Sequence, residues 1–461
     1  MKPLTAIVQV TLRAALRERV VWSMLALVVG SLLLLPLGLR GDGTLESELR
    51  MHLRYSMGVS TALLAGMTLW IACSALAGDL SSKRLQMVLT KPVSRFTLWW
   101  GKWIAVCLIS LPLLFLSGWV TLLRVEQRLA DPAAVTPEQR RALRQTQLSA
   151  RRMLLPEEVD VREEAAAMLA EQQREGRIPP GLSPADLARI ERDMFNMARA
   201  LRHSARAGES VAYVFHLPEP VQPGEALQLG FQLDSGIPGT TRIPGTWLLG
   251  TPEDPDLLEI PLQTLPAGEA LLKLPADSGF TGARTLVAAF ENQSETGGMI
   301  FFRPVGGVVL FRPGGSFAPN FFRALLLLSG LLALLAALGV SCGGFFSLPV
   351  ACYTTAMVLV LQAFSGTLES VLTDGTPLSR VEDPGLLILL LDGIMLRMYQ
   401  GLDLLVRAID LAQPLQRVAR GILIPPAEVL RVLLTRVLPV LLLLAALGGW
   451  GFHRREVGVA E

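Results

Sequence analysis

Gly339-Val340-Ser341-Cys342-Gly343 has the G-x-S-x-G spacing that, in hydrolases, lifts a serine onto a sharp strand-to-helix turn. Such a serine needs a histidine to take its proton and an acid to orient that histidine. Here the motif ends an apolar run, with no charged residue between Arg323 and Glu369. Small residues in that setting serve close helix packing or a tight turn. There is no H-E-x-x-H zinc helix and no G-x-x-x-x-G-K-[ST] phosphate loop. The cysteines Cys73, Cys107, Cys342 and Cys352, and the histidines His52, His203, His216 and His453, are dispersed along the chain. That dispersal predicts no disulfide framework, no metal site and no cofactor. The chain is therefore expected not to be an enzyme and to have no catalytic residues.

A second stretch suits docking rather than catalysis. TKPVSRFTLWWGKW, residues 90–103, carries Lys91, Arg95 and Lys102 between two strongly apolar segments. Asp79 stands at the exit of the preceding segment, and a helical run covers Ser82–Leu89. Pro92 breaks that helix, because proline lacks a donor and pushes its predecessor out of the α region. A new helix is predicted to start near Ser94, which can cap it, and to continue through Gly101-Lys102. Trp99, Trp100 and Trp103 are expected at the membrane interface. Met87, Val88 and Leu89 give the first helix an apolar face. An ordinary positively charged loop is the plainer reading, but a structured break, an apolar knob and a basic rim together make a docking element.

The composition sets what must position these residues. Of 461 residues, 51% are hydrophobic and 18% charged, fewer charges than the roughly 25% of soluble domains. A net charge of +2 without a clustered basic face predicts no nucleic-acid partner. Six apolar runs, 20–39, 56–78, 101–123, 320–342, 347–364 and 433–452, are candidates to cross about 30 Å of hydrocarbon. The first is too long for a signal-peptide core and lacks a small-residue cleavage site, so it is read as retained. Basic residues gather in three places: Lys2, Arg13, Arg17 and Arg19; the 79–102 loop with Lys83, Arg84, Lys91, Arg95 and Lys102; and the tail His453-Arg454-Arg455. Six spans put all three on one side, and the positive-inside rule makes that side cytoplasmic. The expectation is a multi-pass α-helical protein of the cell (inner) membrane with both termini cytoplasmic.

Residues 124–319 then form one extracytoplasmic α+β insertion. The stretch 124–209 holds 15 Arg against 14 Asp and Glu, which predicts a solvated, salt-bridged helical stalk. From 210 to 319, short alternating runs such as Val211–Leu217, Ala226–Leu233 and Leu286–Phe290 between turn formers predict a β-sandwich. The domains so drawn are 1–123, 124–209, 210–319 and 320–461. Within the last, the twelve Leu, Ile and Val of Leu386–Val406 favour insertion, while Asp392, Arg397 and Asp403 oppose it by a similar amount. An amphipathic helix over 385–412 on the outer membrane surface is the preferred reading.

Asp79…Lys83-Arg84-Leu85-Gln86-Met87-Val88-Leu89-Thr90-Lys91-Pro92-Val93-Ser94-Arg95…Gly101-Lys102 resembles the signature of ABC-2-type transporter permeases. The likeness lies at Leu85, Leu89, Pro92-Val93-Ser94-Arg95 and Gly101-Lys102, and departs at Lys83 and Arg84, where that family usually has Gly and Thr. An amphipathic N-terminal helix and a helical segment before the last span also resemble the nitrous-oxide-maturation and gliding-motility type permeases. The resemblance covers the membrane part of the chain and implies a separate ABC ATPase subunit whose groove receives the loop. It further implies a homodimer, or a heterodimer with a related permease, in the lipid bilayer. Met87, Leu89, Pro92, Val93, Ser94 and Arg95 would contact the ATPase. Asp79, Lys83, Arg84, Trp99, Trp100 and Lys102 would anchor the loop. The extracytoplasmic domain would handle substrate or bind a partner protein. The rival readings are a membrane-anchored structural, mechanotransmitting or receptor protein without transport and, third, an intramembrane hydrolase resting on Ser341.

Overall fold

The computed structural model describes residues 3–38, 45–81, 94–131, 135–146, 148–178, 184–235, 243–254, 258–264, 269–275, 279–294, 298–304, 306–363, 391, 393–395, 397, 398, 400 and 413–454. Most of the 385–412 amphipathic helix expected from the sequence lies outside the described residues. The helices are α1 Pro3–Ala15, α2 Arg19–Gly38, α3 Leu45–Ser81, α4 Arg95–Ala130, α5 Pro137–Thr146, α6 Arg162–Arg174, α7 Pro184–Arg202, α8 Phe317–Phe345, α9 Leu348–Ala363, α10 Gln413–Ala419, α11 Pro426–Val432 and α12 Leu438–Arg454. The strands are β1 Ser149–Leu154, β2 Ser204–Ala205, β3 Ser210–His216, β4 Gln228–Ser235, β5 Ile243–Gly250, β6 Leu258–Thr264, β7 Glu269–Lys273, β8 Thr285–Asn292, β9 Ile300–Phe302 and β10 Val308–Ser316. They form two compact units, Met1–Ala150 with Ser316–Glu461, and Arg151–Gly315.

The first unit is helical. Four of its helices are long and apolar enough to cross a membrane: Glu48–Ser81 in α3, Arg95–Ala130 (α4), Phe317–Phe345 (α8), and Pro426–Gly451 through α11 and α12. These mark the chain as membrane-embedded. The other two expected spans meet shorter apolar helices, Arg19–Leu34 in α2 and Leu348–Val360 in α9. The described part of α9 is 16 residues, about 24 Å at 1.5 Å per residue, and the residues after Ala363 lie outside the described ones. The 37 residues of α3 and 36 of α4 overshoot the hydrocarbon thickness, so the runs 56–78 and 101–123 are only their apolar middles. Helix α8 is the central post: 83% of its apolar stretch is buried, against 28% for Pro426–Gly451. A sequence apolar on every side, such as Ala324-Leu325-Leu326-Leu327-Leu328, suits that position. Against α8 pack α3, α4, α9 and α12.

The second unit is two antiparallel sheets around one core. One sheet runs β1-β10-β4-β9-β2, with β7 also paired to β4; the other runs β3-β8-β5-β6. Strict alternation sets the inner face: Leu286, Ala288 and Phe290 of β8 point in, as do Val211, Tyr213 and Phe215 of β3. Leu229, Phe231 and Leu233 of β4 meet them from the opposite sheet. Trp247 sits at the centre with no exposed surface, its ring 5.2 Å from Phe231, 5.1 Å from Phe290 and 5.8 Å from Phe302.

The charged stretch 124–209 is not uniformly helical as expected. It contains β1, and the Arg151 side chain of that strand is buried rather than solvated. Its guanidinium lies 2.5 Å from Gln228 Oε1 and 4.4 Å from the centre of the Phe311 ring. Counting charges over the segment hides this residue, because cation–π contact and a hydrogen bond let a single arginine lie flat on a sheet. Arg312 is likewise buried, paired with Glu225 and donating to the carbonyls of Glu219 at 2.7 Å and Pro220 at 2.9 Å. Helices α6 and α7 pack together through Val161, Ala165 and Ala198.

Candidate functional site

The basic loop leaves α3 after Ser81 and re-enters the structure at Ser94. Lys83, Arg84, Met87, Leu89, Pro92 and Val93 lie outside the described residues. Both ends of the loop are described, and both are tightly built. Ser94 holds extended backbone, φ −66° and ψ 142°, and its Oγ accepts from the Thr97 amide at 3.1 Å. This is the cap that the sequence led us to expect, satisfying one of the first unpaired amides of α4. Arg95 follows as the first residue of the helix.

Two turns further on, Lys102 points back at α3. Only 2% of the residue is exposed, and its ammonium donates to Asp79 Oδ2 at 2.5 Å and to the Ala75 carbonyl. A buried ammonium is tolerated only when it is paired and hydrogen-bonded. Asp79 keeps 32% of its side chain exposed, so one partner faces water and the other does not. Farther from the loop, Ser110 Oγ donates to Thr68 Oγ1 at 2.7 Å, the Thr68 proton going to the Leu64 carbonyl. The two contacts run α3 and α4 antiparallel and tie them side by side below the loop.

The tryptophans depart from the expectation of an interfacial belt. Trp99 is 1% exposed, and its Nε1 donates to Ser341 Oγ at 3.1 Å. Trp103 donates to the Ala333 carbonyl at 2.9 Å. Being four residues apart, they lie on one face of α4, and that face meets α8. Their rings are stacked, 6.3 Å apart at 10°, with Trp100 edge-on to each at 5.2 Å. Trp99 and Trp103 therefore fix α4 to α8 rather than to headgroups; Trp100 remains half-buried.

Ser341 completes this arrangement and explains its motif. Its hydroxyl donates to the Leu444 carbonyl at 2.9 Å while accepting from Trp99. A Cβ on Gly339 would come within 2.6 Å of Ala72 Cβ, and one on Gly343 within 2.8 Å of the Cys73 carbonyl. A Cβ on Gly448 of α12 would lie 2.5 Å from Ser341 Oγ and 2.6 Å from Trp99 Nε1. The G-x-S-x-G sequence is the surface on which α8 receives α3, α4 and α12, and among the described residues its serine hydrogen-bonds to Trp99 and Leu444 and to no histidine. Ser341→Ala should leave the Trp99 N–H buried without an acceptor and lower stability by about 1–3 kcal/mol, read as a lower melting temperature in detergent. Ser341→Thr, which keeps the hydroxyl, should retain the Trp99 bond but crowd Gly448.

Other sequence candidates resolve simply. Cys73 contacts Thr355 Oγ1 at 3.6 Å, joining α3 to α9. Among the described residues, no group of three His, Cys, Asp or Glu side chains could hold a metal ion. Asn292, within an N-x-S triplet, is wholly buried and donates to the carbonyls of Ala205 and Gly298 at 3.0 Å each, which leaves no room for a glycan. Sequence reasoning missed the joint role of Trp99 and Ser341, residues 242 positions apart. The available signal was a tryptophan and a small polar residue in facing apolar helices. Comparison of the chain with protein-family models, with curated proteins and with solved structures finds no match, so the reading of this site stands on its residues.

Proposed function

We propose that the chain is the permease subunit of an ABC-2-type exporter, converting ATP hydrolysis on a separate subunit into helix movement that carries substrate across the membrane. The observation carrying this reading is the Asp79–Lys102 pair at the base of a loop reading Pro92-Val93-Ser94-Arg95. A docking loop transmits force only if its two ends move as one body. Here α3 and α4 are joined by a buried ion pair and by Thr68–Ser110, and α4 is fastened to α8 through Trp99 and Trp103. A push on Met87, Leu89, Pro92, Val93 and Arg95 would therefore reach the centre of the helical unit as a rigid-body displacement.

In this reading α2 and α9 complete six spans. The loop and both termini are cytoplasmic, and the β-rich unit is extracytoplasmic. A second permease chain, the same or related, forms the pathway. A photoreactive amino acid at Leu89, in the full chain in its native membrane, tests the docking. The expected product is a crosslink to an ATP-binding protein; crosslinks to lipid alone would refute the docking.

A further inference from the structure

Polar pairing between α3 and α4 is complete near the loop and stops halfway along. At the loop end Lys102 pairs with Asp79, and Thr68 pairs with Ser110. Beyond Thr68, toward the start of α3, come Thr61, Ser60, Ser56 and His52. Ser60 is wholly buried, Ser56 is 2% exposed and Thr61 7%. Among the described residues, none of their hydroxyls, nor His52 Nε2, has a hydrogen-bond partner. Serine and threonine in a helix can bond back to the carbonyl four residues earlier, as Thr68 does to Leu64 at 2.7 Å. Three neighbouring hydroxyls that do not, with His52 one turn before Ser56, depart from the near-universal pairing of buried polar groups. In a membrane helix, polar side chains that satisfy nothing locally mark a pathway or a ligand site.

The charges nearby indicate the ligand. Arg124 and Arg128 of α4 are the charged groups that act on His52, and this end of α3 adds Arg54 with the pair of opposite charges Glu48 and Arg50. Of the acids in this part of α4, Glu126 is held by Arg144 at 3.2 Å. Arginines surrounding hydroxyl donors favour oxygen-rich anions. We propose that the loop-distal half of α3, with Arg124 and Arg128, lines a cleft that opens to water when the helices shift and takes the phosphate or carboxylate headgroup of an amphiphile. This rests on the permease reading, in which the cleft lies on the outer side and the headgroup belongs to the cargo.

The test uses the full chain in membranes with its four cysteines replaced by alanine and one cysteine returned at Ser56, Ser60 or, as control, Ile71. Each variant is treated with anionic sulfonatoethyl methanethiosulfonate or cationic trimethylammonioethyl methanethiosulfonate, with rates normalised to a free thiol and denatured chain giving total labelling. Ser60→Cys and Ser56→Cys should react, and Ile71→Cys should not. The anionic reagent should lead by about tenfold, the lower end of electrostatic focusing by a charged cleft. Adding Arg124→Gln and Arg128→Gln should remove that lead. Absence of reaction at both serine positions would overturn the cleft, and an equal or faster cationic reagent would overturn its ligand class. Either position alone suffices if the other variant misfolds. Labelling is independent of any ATPase: a reactive cleft without an ATPase partner removes the permease reading only, and an ATPase partner with unreactive cysteines removes the cleft only.

Discussion

Asp79→Asn is expected to destabilise the protein by about 3–5 kcal/mol, because it leaves a buried ammonium without its counter-charge. Lys102 would keep two acceptors, the Ala75 carbonyl and the amide oxygen of the substituted side chain, but neither carries a charge. Lys102→Met should be several-fold milder, since the carboxylate it abandons is 32% exposed and can turn to water. The double variant Asp79→Asn/Lys102→Met should recover most of what the first loses, as apolar replacements of buried pairs commonly do. Melting temperatures of the four proteins in one detergent measure the order. Equal effects of the two single variants would mean that Lys102 reaches water or headgroups and does not bind the helices together. The same variants bear on coupling: Lys102→Met/Asp79→Asn should fold, yet transmit less of a push on the loop, because its two ends are no longer joined.

Trp247→Ala should cost the Arg151–Gly315 unit about 3–5 kcal/mol through the cavity it opens between the two sheets. Three phenylalanines, Phe231, Phe290 and Phe302, lose their shared neighbour. Trp247→Phe should cost less than about 1.5 kcal/mol, for a specific reason. Among the described residues the indole Nε1 is buried without an acceptor, so phenylalanine surrenders volume while also removing an unpaired donor. Limited proteolysis of the full chain, following cleavage within 151–315, checks the ranking. A milder effect of alanine than of phenylalanine would mean that the core rearranges around this position.

Periodicity made much of the fold legible. The alternation in Val211–Leu217 and Leu286–Phe290 reads as half-buried strands, and β3 and β8 occupy those positions. The apolar runs read as helices, and four reach spanning length. The reading of Gly339 to Gly343 as a packing surface rather than a nucleophile elbow agrees with the contacts of those glycines. What failed did so for physical reasons. Trp99 reads as interfacial because tryptophans near basic residues usually are, and only the position of α8 shows that its face is inward. Arg151 disappears into a segment whose charges nearly cancel. The Asp79–Lys102 pair was half legible: a lysine inside an apolar helix needs a partner, and the sequence offers a nearby acid without its geometry.

The central claim, that TKPVSRFTLWWGKW is the coupling element of a permease, is tested most directly by purifying the tagged chain from its native membrane, with and without Pro92→Ala/Arg95→Glu, and identifying what accompanies it. The account predicts that an ABC ATPase co-purifies with the native chain and is lost from the variant, while the variant retains its own melting temperature. Absence of an ATPase from both would contradict it, leaving the loop as a basic membrane anchor and turning attention to what the β-rich unit binds.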